Sequence, residues 1–524
     1  MNRKITALLL LIALFIPGAA SFAQQSINDS VAELQAAINT LLDQPKFAAG
    51  RWGIRVITES GKVVFERDAD KLFIPASNMK LYTTAASLDA FGPDLRFRTS
   101  VYAGNKALRR GILKGDVVLF GRGDPNISAR FELDENGKPN PIDSFLSAEV
   151  LAPIEKLADQ LKARGVKVIT GNLIGDDSYF TADQWGAAWQ WDDLLEYYSA
   201  PISALTVNDN VVTFLVDPAR KEGRPPVVSV LPATRYGKLI NHAVTGPGKD
   251  GKTHLKIDRK LDSDTFELIG NIPVGANQFK VDVAIKSPAL FAATLLREAL
   301  ARRHIRVTGT VKSINATDRV KHPLDQKALT EIAFIESQPV SVLIKAVNKP
   351  SQNLHAEILL RQLGELKGTP RDLDDLGRPR RSDIRGIEVL RQFLSRAGVN
   401  GNALSIRDGS GLARHDLVSP ASTTGLLLFM LHHQFAPVFL DSLPVPGDGT
   451  LRSRMLNSPA KDKLSAKTGS LAYVRSLSGY VTTAGGERLI FSFMGNNYLG
   501  PGGDLTSTYD KIASLLAAFS GRLQ

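Results

Sequence analysis

A serine hydroxyl becomes a useful nucleophile only when a neighbouring base takes its proton. One stretch of this chain supplies both groups, Ser77-Asn78-Met79-Lys80. A lysine three residues after a serine on a helix lies on the same face, one turn on. It can act as a base only when neutral, a state that burial and a nearby positive charge both favour. Two more strings follow, Ser351-Gln352-Asn353 and Lys467-Thr468-Gly469-Ser470. A cation, a hydroxyl and a residue without a side chain suit a strand edge that grips a carboxylate while a ligand backbone comes close. Lys467 is also the positive neighbour expected to hold Lys80 neutral. In the middle string, Ser351 is suited to relay a proton to a leaving amine, and Asn353 to bond the substrate and Lys80. The same letters equally describe an ordinary helix N-cap. Short strings recur by chance: Ser458 to Lys461 repeats the first pattern, and Ser26 to Asn28 and Ser313 to Asn315 repeat the second. Order and context therefore carry the weight.

The elements that would position these groups can be read from periodicity. Pro75 opens a helical stretch that carries Ser77 and Lys80 past Leu81, Ala85 and Leu88 to a stop near Gly92, so the nucleophile sits in a first turn where the helix dipole favours negative charge. The rival Ser458-Pro459-Ala460-Lys461 lies in a polar, loop-like region. Before the first string, Val31 to Leu42 is helical, and Trp52 to Val56 and Val63 to Phe65 form a hairpin around Ser60-Gly61. From about 97 to 330 the texture turns to short β-like runs among Gly, Pro and Asp, with helices at Ile154 to Ala163 and Ala289 to Arg302. Helices return at Ser341 to Lys345, His355 to Leu366 and Ile387 to Ala397. Strands Val474 to Val481 and Leu489 to Met494, joined at Ala484-Gly485-Gly486, precede a last helix from about Tyr509 to Phe519. The expected division is a signal segment at 1–23, a catalytic unit of 24–96 and 325–524, an inserted domain of 97–210 and 282–324, and a nested module of 211–281.

The 524 residues, 43% hydrophobic and 22% charged, exclude bulk disorder and a multispan membrane protein. Arg3 and Lys4, an apolar run from Ile5 to Ile16, and Ser21-Phe22-Ala23 form a secretory signal with cleavage expected after Ala23. That run is shorter than the roughly 20 residues needed to span a bilayer, and no later segment is apolar and long enough. The expected location is the periplasm, with no transmembrane helix in the mature protein. Losing Arg3 and Lys4 lowers the formal charge of +11 to about +9, a surplus that favours weak association with anionic envelope polymers or lipid headgroups. Nucleic acid is not an expected partner, because no recognition motif is present. The basic cluster Arg378-Pro379-Arg380-Arg381 reads as a solvated loop. Cysteine is absent, which rules out disulfides and thiol catalysis. The eight histidines are scattered without metal-ligand spacing, and no phosphate-binding loop is present, so no cofactor or metal is expected.

The three strings resemble those of the penicillin-recognising serine enzymes. The long interval from Ser77 to Ser351 is similar to that of the low-molecular-mass class C penicillin-binding proteins, the D-alanyl-D-alanine carboxypeptidase/endopeptidase family S13, which inserts two domains there. Gly121-Arg122-Gly123-Asp124-Pro125 and Asp408-Gly409-Ser410-Gly411-Leu412 resemble further signatures of that family. The resemblance implies an α/β fold: a penicillin-binding-protein/β-lactamase-like serine transpeptidase domain, an antiparallel sheet with helices, interrupted by a long β-rich insertion. It implies hydrolysis of peptidoglycan stem peptides and cross-bridges through a Ser77 acyl-enzyme, with an oxyanion between the N–H groups of Ser77 and Ser470, and inhibition by β-lactams. Trp189, Asp192 and Tyr197 would line the pocket, Asp192 meeting a substrate amino group, and Leu412 and Arg414 would border the cleft. Gln352 departs from the pattern, since Asp or Asn is commoner there, and the departure is expected to alter fine positioning more than chemistry. A β-lactamase and a non-catalytic peptidoglycan-binding protein are the alternatives.

Overall fold

The computed structural model describes residues 30–128, 148–248, 251–369 and 380–523. The proposed signal segment, and Arg378 and Pro379 of the basic cluster, lie outside them. Helix α1 (Val31–Leu42) starts at Ser30, whose hydroxyl accepts from Glu33 N, and leads into the hairpin β1 (Arg51–Thr58) and β2 (Val63–Arg67). A single 3-10 turn, Ala76–Asn78, then runs into α2 (Met79–Phe91), which stops at Gly92 with φ +72°. The insertion contributes β3 (Arg98–Gly104), β4 (Val117–Phe120), α3 (Ala152–Ala163), β5 (Leu173–Asp176), β6 (Val211–Asp217), β7 (Val227–Leu231), β8 (Phe279–Ala284), α4 (Pro288–Arg302), β9 (Val311–Ile314), α5 (Ala316–Lys321) and β10 (Leu329–Glu336). The chain continues through α6 (Val340–Asn348), α7 (Asn353–Lys367), α8 (Ser382–Arg396), α9 (Pro420–Leu431) and α10 (Ala436–Asp441). It closes with β11 (Leu464–Leu471), β12 (Val474–Thr482), β13 (Arg488–Asn496) and α11 (Gly502–Ala518).

Strands β2-β1-β13-β12-β11 form one antiparallel sheet in that order. Side chains alternate across it. Phe491 and Phe493 of β13 join Ile54, Val56, Leu34, Ile38, Ile512 and Leu516 beneath α1 and α11. Ile490 and Met494 point the other way, into a core with Met79, Leu88, Leu343, Leu359, Leu390 and Leu427 from α2 and α6 to α9. The first and last stretches of the chain thus build one domain, with α2 in its middle.

The second large sheet, β9-β5-β4-β3-β10, packs on α3 and α4 through Val101, Leu119, Leu173, Leu157, Phe291 and Leu295. Two strands pair across the expected boundaries. β10, in the stretch from 325 expected in the catalytic unit, pairs with β3 from Leu329↔Gly104 to Glu336↔Arg98. β6, which opens the module expected over 211–281, pairs with β8 from Val211↔Ala284 to Val216↔Phe279 and buries Val212 and Phe214 with residues of α4. A strand's pairing partner decides its home, and composition does not report it. Residues 238–273 do form a separate four-stranded sheet.

The insertion is seated on α7. Leu354 and Ile358 pack against Phe180, Ala200, Ile202, Ala204, Val211 and Ala284. The turn at Gly123 (φ +73°) fits under the same helix, where Gln362 Nε2 donates to the carbonyls of Arg122 and Gly123 at 2.5 and 2.9 Å. Asp124 in that turn is buried. Arg381, expected in a solvated loop, pairs with Asp383 at 2.6 Å and with Asp183 of the insertion. Truncating Ile358, fully buried at this seam, to alanine should cost about 2–5 kcal/mol, read as a lowered unfolding midpoint in urea.

Candidate active site

Ser77 is held by the sheet before it is held by its helix. The side chain of Asn496, at the end of β13, accepts from Ile74 N at 2.8 Å and donates to Ile74 O at 3.2 Å. Ser476 Oγ donates to Pro75 O at 2.7 Å, and Asn78 Nδ2 donates to Ser478 Oγ at 2.6 Å. Two glycines make this docking sterically possible. A Cβ at Gly469 would stand 2.1 Å from Ser476 Oγ and 2.7 Å from Pro75 O, and one at Gly411 (φ +79°) would stand 1.8 Å from Ala76 O. β11 and the 408–413 loop therefore close on the nucleophile turn from two sides. Ser77 stays half-exposed within it.

Lys80, one turn on, is fully buried. Its Nζ lies 2.8 Å from Ser77 Oγ, 2.6 Å from Asn353 Oδ1 and 2.7 Å from the Ser410 carbonyl. Burial pushes its pKa down to about 7, while Asp408, Glu357 and Asp416 pull it the other way. Those carboxylates build the loop that faces the lysine. Asp408 accepts from Ser410 N, Gly411 N and Ala413 N at 3.0, 2.6 and 2.8 Å. Glu357 accepts from Gly409 N and Ser410 N, both at 2.9 Å, and pairs with Arg361. Burial and then Asp408 raise the Glu357 pKa to about 7, and burial and Asp408 likewise hold Asp416 well above the usual carboxylate range.

Lys467 on β11 is also fully buried. Its Nζ donates to Ser351 Oγ at 2.9 Å and to Thr468 O at 2.8 Å. Burial is the largest cause that lowers Lys80, and burial together with repulsion from Lys80 holds Lys467 well below the ordinary lysine value. The N-cap reading of Ser351-Gln352-Asn353 also falls. No side chain caps α7 at Gln352. Ser351 takes φ +66° to face Lys467, and Asn353 spans from Lys80 to the Tyr198 carbonyl, to which its Nδ2 donates at 2.8 Å. The rival Ser458 to Lys461 lies in turns.

The structure places the rim residues as follows. Trp189 Nε1 donates to Asp408 Oδ2 at 2.9 Å, which ties the insertion to the loop under Lys80. Arg414 donates to Gln190 Oε1 at 2.8 Å and to the Ala472 carbonyl at 2.7 Å, bridging the insertion to the β11–β12 turn. Asp192 and Tyr197 are exposed on the short segment between Gln190 and Tyr198. Leu412 is buried beside Gly411, Ser470 is exposed at the end of β11, and Thr468 donates to Thr450 Oγ1 at 2.7 Å. Sequence reasoning missed Glu357, Tyr198, Ser410 and Thr450. Glu357 was within reach, standing one helical turn after Asn353 on the same face. Tyr198 and Ser410 act through carbonyls, which no side-chain pattern announces.

Among the described residues no helix is long and apolar enough to cross a membrane, and no group of three or more His, Asp or Glu is arranged to hold a metal ion.

A five-stranded antiparallel sheet between helical layers, with a serine–lysine turn against its edge strand and a long insertion, is a penicillin-binding-protein/β-lactamase-like fold. Residues 34–518 match the D-Ala-D-Ala carboxypeptidase 3 (S13) family, and the chain belongs to it. A D-alanyl-D-alanine carboxypeptidase of Actinomadura sp. (strain R39) is 31% identical over 98% of this chain and 89% of its own length. The crystal structure of penicillin binding protein 4 from Haemophilus influenzae superposes with a TM-score of 0.74 at 22% identity, covering 92% of this chain and 99% of that one. A second structure of that protein, complexed with a β-lactam, gives 0.67 over 91% and 97%. Family membership makes the chain a serine-hydrolase-like enzyme of peptidoglycan.

Because the amine must be neutral to accept a proton, acylation by a penicillin should rise with pH through about 7 and level off above it. Stopped-flow or quench measurements across pH 5.5 to about 9 would show this, and a rate that falls over that range would contradict the assignment of Lys80.

Proposed function

We propose that the enzyme is a serine-type D-Ala-D-Ala carboxypeptidase and DD-endopeptidase acting through a Ser77 acyl-enzyme. The environment of Lys80 Nζ carries this reading. A neutral amine has two hydrogens and one lone pair. Asn353 Oδ1 and the Ser410 carbonyl can only accept, so they take both hydrogens. The lone pair is left for the third neighbour, the Ser77 hydroxyl.

Ser77 Oγ attacks the carbonyl carbon of the penultimate D-alanine as its proton passes to Lys80. The oxyanion forms between the N–H groups of Ser77 and Ser470, each donor contributing about 3 kcal/mol in sites of this kind. Ser351 relays the proton taken by Lys80 to the departing D-alanine or cross-bridge amine, which leaves Lys80 neutral for the second half of the reaction. Lys467 and Thr468 hold the terminal carboxylate of the substrate, whose negative charge, brought beside the Lys467 amine, draws it back to the charged form. Gly469 lets the substrate backbone lie close to β11. Water then attacks the ester with Lys80 again as base, freeing Ser77. Trp189, Tyr197, Leu412 and Arg414 wall the cleft, and exposed Asp192 meets the amino group of the stem-peptide side chain. A β-lactam presents a strained amide to the same serine and leaves an adduct that water removes slowly.

Residues 1–23 direct the chain to the periplasm, where this substrate lies, and its basic surplus supports weak contact with anionic envelope surfaces. The insertion divides into a unit built on β3, β4, β5, β9 and β10 with α3 and α4, and a smaller sheet of residues 238–273.

Fluorescent penicillin should label the protein covalently, and Ser77→Ala should abolish the label while leaving the unfolding midpoint within a few degrees, roughly the effect of under 1 kcal/mol. Wild-type protein should also release D-alanine from a peptide ending in D-Ala-D-Ala. Label that persists on the folded variant would move the nucleophile elsewhere.

A further inference from the structure

The second motif is gripped from outside the catalytic domain. Between Leu205–Val207 and β6, the insertion makes a turn in which Asn208, Asp209 and Asn210 all take left-handed φ, +50°, +53° and +54°. Single Asn or Asp residues visit this region at modest cost, but successive ones are rare, and such strain persists only where the surroundings over-determine it. Here the two asparagines do that work. Asn208 Nδ2 donates to Val211 O at 2.8 Å. Asn210 Nδ2 donates to Pro201 O at 2.8 Å and to Thr206 Oγ1 at 3.2 Å, and its Oδ1 accepts from Val207 N at 3.3 Å. Both flanking side chains are spent on their own loop.

Asp209 is turned the other way, onto α7. Its Oδ2 accepts from Gln352 Nε2 at 2.9 Å, and its Oδ1 lies 2.9 Å from His355 Nε2. Asp209 is 4% exposed and His355 0%, so water does not compete for either. Gln352 stands between Ser351, which meets Lys467, and Asn353, which meets Lys80. Ser351 is in a left-handed conformation of its own, with no side-chain cap to hold the turn. The insertion supplies what the turn lacks: a carboxylate with two anchors on the helix, one before Asn353 and one after it.

We propose that Asp209 is a positioning residue for acylation: bonded to Gln352 and His355, it fixes the turn that aims Ser351 and Asn353 at the two lysines. The proposal rests on the reading of Ser77 and Lys80 given above. It gives Gln352 a role that its departure from the family pattern leaves open, because an aspartate at 352 would set a second carboxylate against Asp209, whereas an amide donates to it.

The test is a charge swap in the full chain, read as the rate of labelling by fluorescent penicillin with the unfolding midpoint beside it. Gln352→Glu keeps the shape and opposes two carboxylates. A displaced Asn353 or Ser351 should slow acylation about tenfold or more, since misplacement near 1 Å costs up to about a hundredfold. Asp209→Asn added to it restores a donor–acceptor pair and should bring the rate back to within about threefold of the wild type, a coupling expected only of residues in contact. If Gln352→Glu does not fold, Gln352→Ala takes its place, and its effect combined with Asp209→Asn should be no larger than the greater single effect. A Gln352→Glu protein that labels at the wild-type rate overturns the proposal, as do effects that simply multiply in the folded double variant. Wild-type protein that takes no label overturns the reading of Ser77 itself, and the clasp with it.

Discussion

An enclosed amine with three neighbours and, once neutral, two hydrogens is the constraint around which the rest of this molecule is arranged. The neighbours of Lys80 come from three places in the chain: the turn before α2, the first residue of α7, and the 408–413 loop. None of these is fixed by local sequence alone. The turn is pinned by Asn496, Ser476 and Ser478 from the sheet, and the loop by Asp408 and Glu357. The sheet and helices are the means by which two obligate acceptors and one hydroxyl reach one nitrogen.

The electrostatics around that nitrogen are a balance. Burial alone would pull the lysine lower still, because a buried charge loses its hydration. Glu357, Asp408 and Asp416 offset it, leaving the amine near pH 7, where a proton can be both taken and returned. The same carboxylates also order the loop by accepting its backbone N–H groups, so charge and geometry are supplied by one set of atoms. Lys467 has the opposite lot. With burial and Lys80 both acting against its charge, its partners are a hydroxyl and a carbonyl.

Much of this was legible in the sequence because it was local. The helix Val31–Leu42, the β1–β2 hairpin and the β12–β13 hairpin follow from periodicity and turn residues. Ser77 with Lys80, and the strand carrying Lys467, follow from spacing and order. Some elements were hidden by composition. α9 ends in Leu426-Leu427-Leu428-Phe429-Met430-Leu431, apolar on every side and so without a helical stripe. α11 begins at Gly502 and Gly503, poor helix formers that conceal its first turns. The domain seams were hidden for another reason: β10 looks like any strand, and its partner β3 lies more than two hundred residues away. What the sequence could not express at the site was backbone chemistry, the carbonyls of Ser410 and Tyr198, and the left-handed turn at Ser351 that brings its hydroxyl to Lys467.

Helix α7 has no spare face. One side carries Asn353 and Glu357 towards the lysine, and the other carries Leu354, Ile358, Arg361 and Gln362 into the insertion, with Arg361 also bonded to Glu357 and to the Asp183 carbonyl. Excising 98–336 and rejoining the ends would bare Leu354 and Ile358 and take the Asp183 carbonyl from Arg361, on the helix whose Asn353 meets Lys80. The insertion and the chemistry are two surfaces of one cylinder, so sequence change on either side of it is constrained by the other.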